Sequence, residues 1–162
     1  MFNFSNFWLS HAPIFSILIP AFTSFLLLIL GNPGSGSLKQ DWRQPWRRSI
    51  SLGSITLGLI TAVSYLLLAS TGQITVYQLS EWSAPFGIVL VLDRLSAFML
   101  VLTYGLALPI LWYASDNWDT RGRYFHTMFH FLLMGLSGAF LTGDLFNLFV
   151  FFEILLMASY VL

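Results

Sequence analysis

The sequence predicts an all-α fold, a polytopic bundle of about five membrane-spanning helices, and three observations carry that expectation. The 162 residues are 57% hydrophobic and only 9% charged, against roughly 25% Asp, Glu, Lys and Arg in soluble domains. Long uncharged runs alternate with short charged clusters, and each run approaches the roughly 20 residues that cross a hydrocarbon core of about 30 Å. No internal repeat, low-complexity segment or soluble-domain linker interrupts that pattern. Residues 1–162 therefore read as one transmembrane domain, with spans at about 12–30, 50–70, 92–114, 124–142 and 145–162.

The same composition excludes several functions. Formal net charge is zero, and no basic face exists that could follow a phosphate backbone, so nucleic acid is not an expected partner. With no cysteine, disulfides, thiolate metal ligands and cysteine nucleophiles are ruled out. From Met1 to Leu38 the only ionisable side chain is His11, and the positive charges follow the apolar stretch. A secretory signal carries them before it, so the first span is expected to stay in the mature protein.

Taken in order, the first span, Ala12 to Leu30, contains Pro13 near its start and Pro20 inside, where a kink is expected. A loop from Gly31 to Arg48 holds Asn32 to Gly36, then Lys39, Arg43, Arg47 and Arg48 interleaved with Trp42 and Trp46. That mixture reads as an interfacial belt or as a lipid-headgroup site. The second span, Ile50 to Ser70, has Ser54 and Gly58 at the small-xxx-small spacing that admits close helix approach. Thr71 to Val89 reads as a short hairpin or a surface loop, with alternating Ile74, Val76 and Leu79 before Glu81, Trp82 and Pro85. Asp93 and Arg94 suit an N-cap carboxylate and an interfacial cation at the mouth of the third span, Leu92 to Ala114.

The loop Ser115 to Arg123 follows, with Asp116, Asp119, Arg121 and Arg123. Gly143-Asp144 leaves almost no connector between the fourth span, Tyr124 to Thr142, and the fifth, so these two are antiparallel neighbours. Both Lys/Arg-bearing loops, after the first and third spans, are expected inside, which places the N-terminus outside. The chain reaches Leu162 without a flanking charge or aromatic belt, and is expected to be a fragment of something longer.

Glu153 is the candidate with the sharpest chemistry. It lies nine residues beyond Asp144, about 13 Å into the membrane at 1.5 Å per residue. A central acidic residue there costs about 2.5–3.5 kcal/mol. Its apolar neighbours offer no local partner, so the carboxylate must face other helices, a wet cavity or a cation. His126 and His130 share one face of the fourth span, with Glu153 expected opposite Met134 and His130 one turn further inward. That arrangement suggests a proton relay through His126 and His130 to Glu153; a plain hydrogen-bonding role for both histidines is the alternative. Without a third ligand no metal site is expected, nor any cofactor. Gly135 and Gly138 form a thin packing face, Asn147 is expected to hydrogen-bond across helices, and Asp144 to cap the fifth helix.

The stretch Gly138 to Leu162, GAFLTGDLFNLFVFFEILLMASYVL, together with WSAPFGI at 82–88 and LDRLSAF at 92–98, resembles the antiporter-like membrane subunits. Among these it is most similar to the D subunits of Mrp multisubunit sodium/proton antiporters. The resemblance covers nearly the whole chain. It implies a fourteen-helix fold with two inverted five-helix repeats, of which these would be the first five helices. It also implies partner subunits, protons and Na+ as transported ions, and a multi-pass location in the cell's inner (plasma) membrane. In that family an acidic residue of the fifth helix lies on the proton path, and Glu153 occupies the matching position. The lysine of the seventh helix that usually partners it would lie beyond Leu162. The expected function is thus a proton-translocating antiporter subunit, not an enzyme. The alternatives are the same unit in a redox-driven pump of the complex I or membrane hydrogenase type, and a structural assembly protein.

Overall fold

The computed structural model describes residues 11–30, 43–78, 87–116, 118–119, 121–122 and 124–162. The expectations for Asn32 to Gly36, Lys39, Trp42, Leu79, Glu81, Trp82, Pro85 and Arg123 fall outside the described residues. In chain order the elements are α1 (Ala12–Ile29), α2 (Arg43–Ser70), β1 (Thr75–Gln78), β2 (Val89–Leu92), α3 (Arg94–Ala114), α4 (Phe125–Leu141) and α5 (Leu145–Val161). Two stretches, Pro45–Ser70 and Arg94–Ala114, are long and apolar enough to cross a membrane; the other three apolar stretches, Pro13–Ile29, Phe125–Leu141 and Leu145–Val161, are shorter. At 17 residues, α4 and α5 sit at the lower end of the spanning range of about 17–25.

Three expected boundaries shift. The helix expected from Ile50 begins at Arg43, because Pro45 in a first turn lacks only an N–H that would be orphaned anyway, and cations do not stop a helix. Arg47 and Arg48 therefore ride on α2 and not in a loop. Leu92, expected to open the third helix, instead ends a strand: β1 and β2 pair antiparallel from Thr75↔Leu92 to Gln78↔Val89. The hairpin outcome of the 71–89 segment is the one realised, with a second strand reaching past it. β2 alternates valine with buried leucine, and β1, Thr-Val-Tyr-Gln, alternates half-buried with exposed residues, which suits a half-buried ribbon. Asp93 then starts α3 as a capping box: the Ser96 N–H donates to its carboxylate at 2.7 Å, and the Asp93 N–H donates to the Ser96 hydroxyl at 2.9 Å.

Arg94 does more than sit at an interface. Its guanidinium donates to the Ala69 and Ser70 carbonyls at 3.1 and 3.0 Å, closing the C-terminal end of α2. The Gly143 N–H donates to the Val89 carbonyl at 2.8 Å, so the α4–α5 turn is tied to the hairpin. One end of the bundle is thereby stapled by backbone, capping and strand pairing together.

The core lies between α1, α2, α3 and α4, around Ile55, Ala62, Ala97, Leu100, Tyr104 and Leu133. Small residues set the approach of the helices. A Cβ at Gly58 would overlap the Tyr104 ring, and one at Gly138 the Phe151 ring; one at Gly135 would stand 3.0 Å from Leu155. Ser54 accepts a hydrogen bond from Thr23 of α1 at 2.8 Å. Pro20 leaves the Ser16 carbonyl without its helical donor, and the Tyr104 hydroxyl, reaching from α3, donates to that carbonyl at 2.9 Å. Outside, the bundle is apolar: Phe22, Leu106, Trp112 and Phe149 are each more than half exposed. That inside-out surface suits a chain whose neighbours are lipid and other helices.

Candidate functional site

Two places in the fold hold chemistry. The first is Glu153, on α5. Phe151 and Leu155 pack into the glycine face of α4 at Gly138 and Gly135, and Glu153, two residues from each, is turned about 200° away. Accordingly it is exposed, on the side of α5 that no described element covers. Phe149, Phe152 and Leu156 share that side, and all are exposed. Asp144 caps the helix as expected, accepting from the Phe146 and Asn147 N–H groups at 3.3 Å each. Asn147 does not bond across helices: in the first turn of α5, within reach of the connecting turn, its amide donates to Thr142 at 3.1 Å.

The second place is a buried ionic cluster at the opposite end of α4. Asp119, in the α3–α4 loop, takes a bidentate pair of hydrogen bonds from Arg48 of α2, at 2.6 and 2.7 Å. The same carboxylate accepts from His126 Nε2 at 3.2 Å. His126 in turn offers its backbone carbonyl to His130 Nδ1 at 2.8 Å. The Asp119 carboxylate has no exposed surface, whereas Arg48 keeps 30% of its side chain exposed. Burial pushes the Asp119 carboxyl up, but the hydrogen bonds and charges of Arg48 and His126 outweigh it and hold the group below its ordinary value. Arg47 is buried beside them. Among the described residues no group of three His, Asp or Glu could hold a metal ion.

The structure joins His126 to His130, but does not bring either to Glu153. Because Gly135 lies beside Leu155 and Gly138 beside Phe151, Glu153 is level with residues 136–137, not with Met134. His130 is therefore about 10 Å further along α4, roughly two turns instead of one. It also faces elsewhere, about 80–140° around α4 from the glycines that meet α5, with its ring against the Ser51 backbone of α2. Close packing at the glycines, and not the centre of the Gly143-Asp144 turn, sets this register. The direct relay expected from sequence is thus not formed between these residues.

No family model matches the chain. It is 47% identical over 158 residues to the D subunit of a probable K(+)/H(+) antiporter of Rhizobium meliloti, covering 94% of this chain and 28% of that protein. It is 38% identical over 157 residues to the D subunit of the Na(+)/H(+) antiporter of Alkalihalophilus pseudofirmus, covering 95% of this chain and 30% of that one. The fold matches a chain of the Mrp complex from Dietzia sp. DQ12-45-1b with a TM-score of 0.78 at 28% identity, over 93% of this chain and 26% of that chain. A chain of the membrane-bound sulfane sulfur reductase, an archaeal respiratory membrane complex, matches with a TM-score of 0.77 over 94% of this chain and 30% of that one. At 23% identity the latter likeness shows the fold alone. The chain spans under a third of the length of these proteins. It is an integral membrane protein, similar in sequence to part of the D subunits of K(+)/H(+) and Na(+)/H(+) antiporters and in fold to part of a chain of the Mrp complex.

Proposed function

We propose that this chain is part of the proton-translocating membrane subunit of a cation/proton antiporter, a secondary transporter and not an enzyme, in which Glu153 alternates between protonated and ion-paired states. The observation that carries the reading is the placement of Glu153. It is the one ionisable carboxylate of α5, about 13 Å from the helix start, on the face left uncovered by every described element. A charge there is costly in hydrocarbon, so that face meets a cationic or wet surface elsewhere in the full protein. Partner subunits and lipid cover the remaining apolar sides. The basic ends of the bundle support a plasma-membrane orientation with the N-terminus outside and the α3–α4 loop inside. His126 and His130 are further proton-transfer groups, about two turns along α4 from the level of Glu153.

The redox-driven alternative draws on a likeness of fold at 23% identity, while the antiporter D subunits reach 47%, which favours the antiporter. The deciding experiment is Glu153→Gln in the full-length protein within its assembled complex, with cation-driven proton movement followed in vesicles. Loss of a proton-transfer group should slow exchange by at least about 100-fold while the complex still assembles. Undiminished exchange with normal assembly would show that Glu153 only joins helices.

A further inference from the structure

The histidines of α4 hold more than a link to Asp119. His130 donates through Nδ1–H to the His126 carbonyl, so in the neutral ring Nε2 is an acceptor. His126 faces the Asp119 carboxylate with Nε2, so Nε2 carries the proton and Nδ1 is the acceptor. Both acceptor nitrogens, His126 Nδ1 and His130 Nε2, are buried with no donor in hydrogen-bond geometry, and the Ser51 carbonyl lies beside the His130 ring. Across from His130, whose ring lies against the Ser51 backbone, the Ser51 hydroxyl is buried and equally unpartnered. Thr127 Oγ1, in the same turn as the histidines, is another such atom. His130, Ser51 and Thr127 are each 0% exposed.

Buried polar atoms are almost always paired, with protein or with ordered water. Here two acceptors and one hydroxyl lie on one turn of α4, and the Ser51 hydroxyl lies on the turn of α2 whose backbone meets the His130 ring. Water supplies a donor to each nitrogen and an acceptor to each hydroxyl. A metal ion would lack an anionic ligand here, because the nearby carboxylate of Asp119 is already paired with Arg48. We propose that Ser51, His126 and His130 form a water-holding proton-exchange site between α2 and α4, opening at Asp119 on the α3–α4 loop and separate from Glu153.

In this site His126 Nδ1 takes an excess proton passed along the water, which stays neutral, and becomes an imidazolium that the Asp119 carboxylate favours and Arg47 and Arg48 oppose. It then releases a proton, from Nδ1 back to water or from Nε2 toward Asp119, and returns to neutrality. The groups facing the histidines are Asp119 from the loop, Arg47 and Arg48 from α2, and Ser51 from α2; Asp116 acts on Arg48. The inference rests on the antiporter reading only for supplying a proton gradient; the site's residues and its depth are independent of Glu153.

The test uses the full-length protein in its assembled complex in vesicles, with exchange recorded across pH. Ser51→Ala and His130→Gln should each slow proton exchange on the order of tenfold, the cost of about one lost hydrogen bond along the path. They should also change the shape of the pH profile, which a merely structural loss would not. Wild-type rate and profile in both variants, with normal assembly, would overturn the site. If either variant fails to assemble, the unmodified complex decides. Ordered water within hydrogen-bond distance of both His130 Nε2 and the Ser51 hydroxyl in a high-resolution map supports the site, and a dry contact there overturns it. Glu153→Gln separates the two readings. Exchange lost in that variant but intact in Ser51→Ala and His130→Gln removes this site alone, whereas the reverse pattern removes the role of Glu153 alone.

Discussion

Asp119 is a carboxylate without exposed surface, held by two hydrogen bonds from Arg48 and one from His126. Removing one partner of a buried pair strands the other charge, so Asp119→Asn should destabilise the folded protein by about 3 kcal/mol, read as a lowered melting temperature of the purified full-length protein. The pH dependence has a definite sign. Asp119 titrates lower when folded than when unfolded, so its stabilisation is fully present above about pH 4 and is lost as pH falls through the depressed folded value. The gap between wild type and Asp119→Asn should therefore close on acidification, and a gap that is constant with pH would exclude the pair as its cause. Nothing in the sequence singled out Asp119 from Asp116, because its partner Arg48 is 71 positions away and no helical period links the two. Glu153 was legible for the opposite reason: its anomaly is local, a charge inside an uncharged run.

Among the elements, α1 shows how a helix breaker is accommodated. Pro20 was readable as a kink, but not the group that satisfies the carbonyl it frees, since Tyr104 lies on another helix. Tyr104 reaches Ser16 only because Gly58 leaves room for its ring. Tyr104→Phe strands the Ser16 carbonyl and should cost about 1–3 kcal/mol. In a Pro20→Ala background the helix supplies its own donor to that carbonyl, so the same Tyr104→Phe change should cost clearly less. Thermal unfolding of the four proteins forms a double-mutant cycle, and equal costs in both backgrounds would refute the coupling. Helix existence and caps were legible element by element, as at Asp93 and Asp144, because they depend on residues three or four apart. The register of α4 against α5 was not, because Gly135 and Gly138 decide it through contacts across the pair.

At the scale of the molecule, two ends of the bundle differ in kind. One carries the hairpin, the Arg94 closure of α2 and the α4–α5 turn; the other carries Arg47, Arg48, Asp119 and the mouth of the histidine cluster. The count of basic residues assigns the second end to the inner side, and the absence of cysteine makes that assignment directly testable. Val76 on β1 and Trp118 on the α3–α4 loop are both exposed, so a cysteine at either position is accessible to a membrane-impermeant thiol reagent on its own side. In the full-length protein with any other cysteines removed, Val76→Cys should be labelled on intact cells, and Trp118→Cys only after permeabilisation. The opposite pattern would invert the bundle. It would also turn the Asp119 mouth to the outside, so that the proton-exchange site would serve the outer water and not the inner.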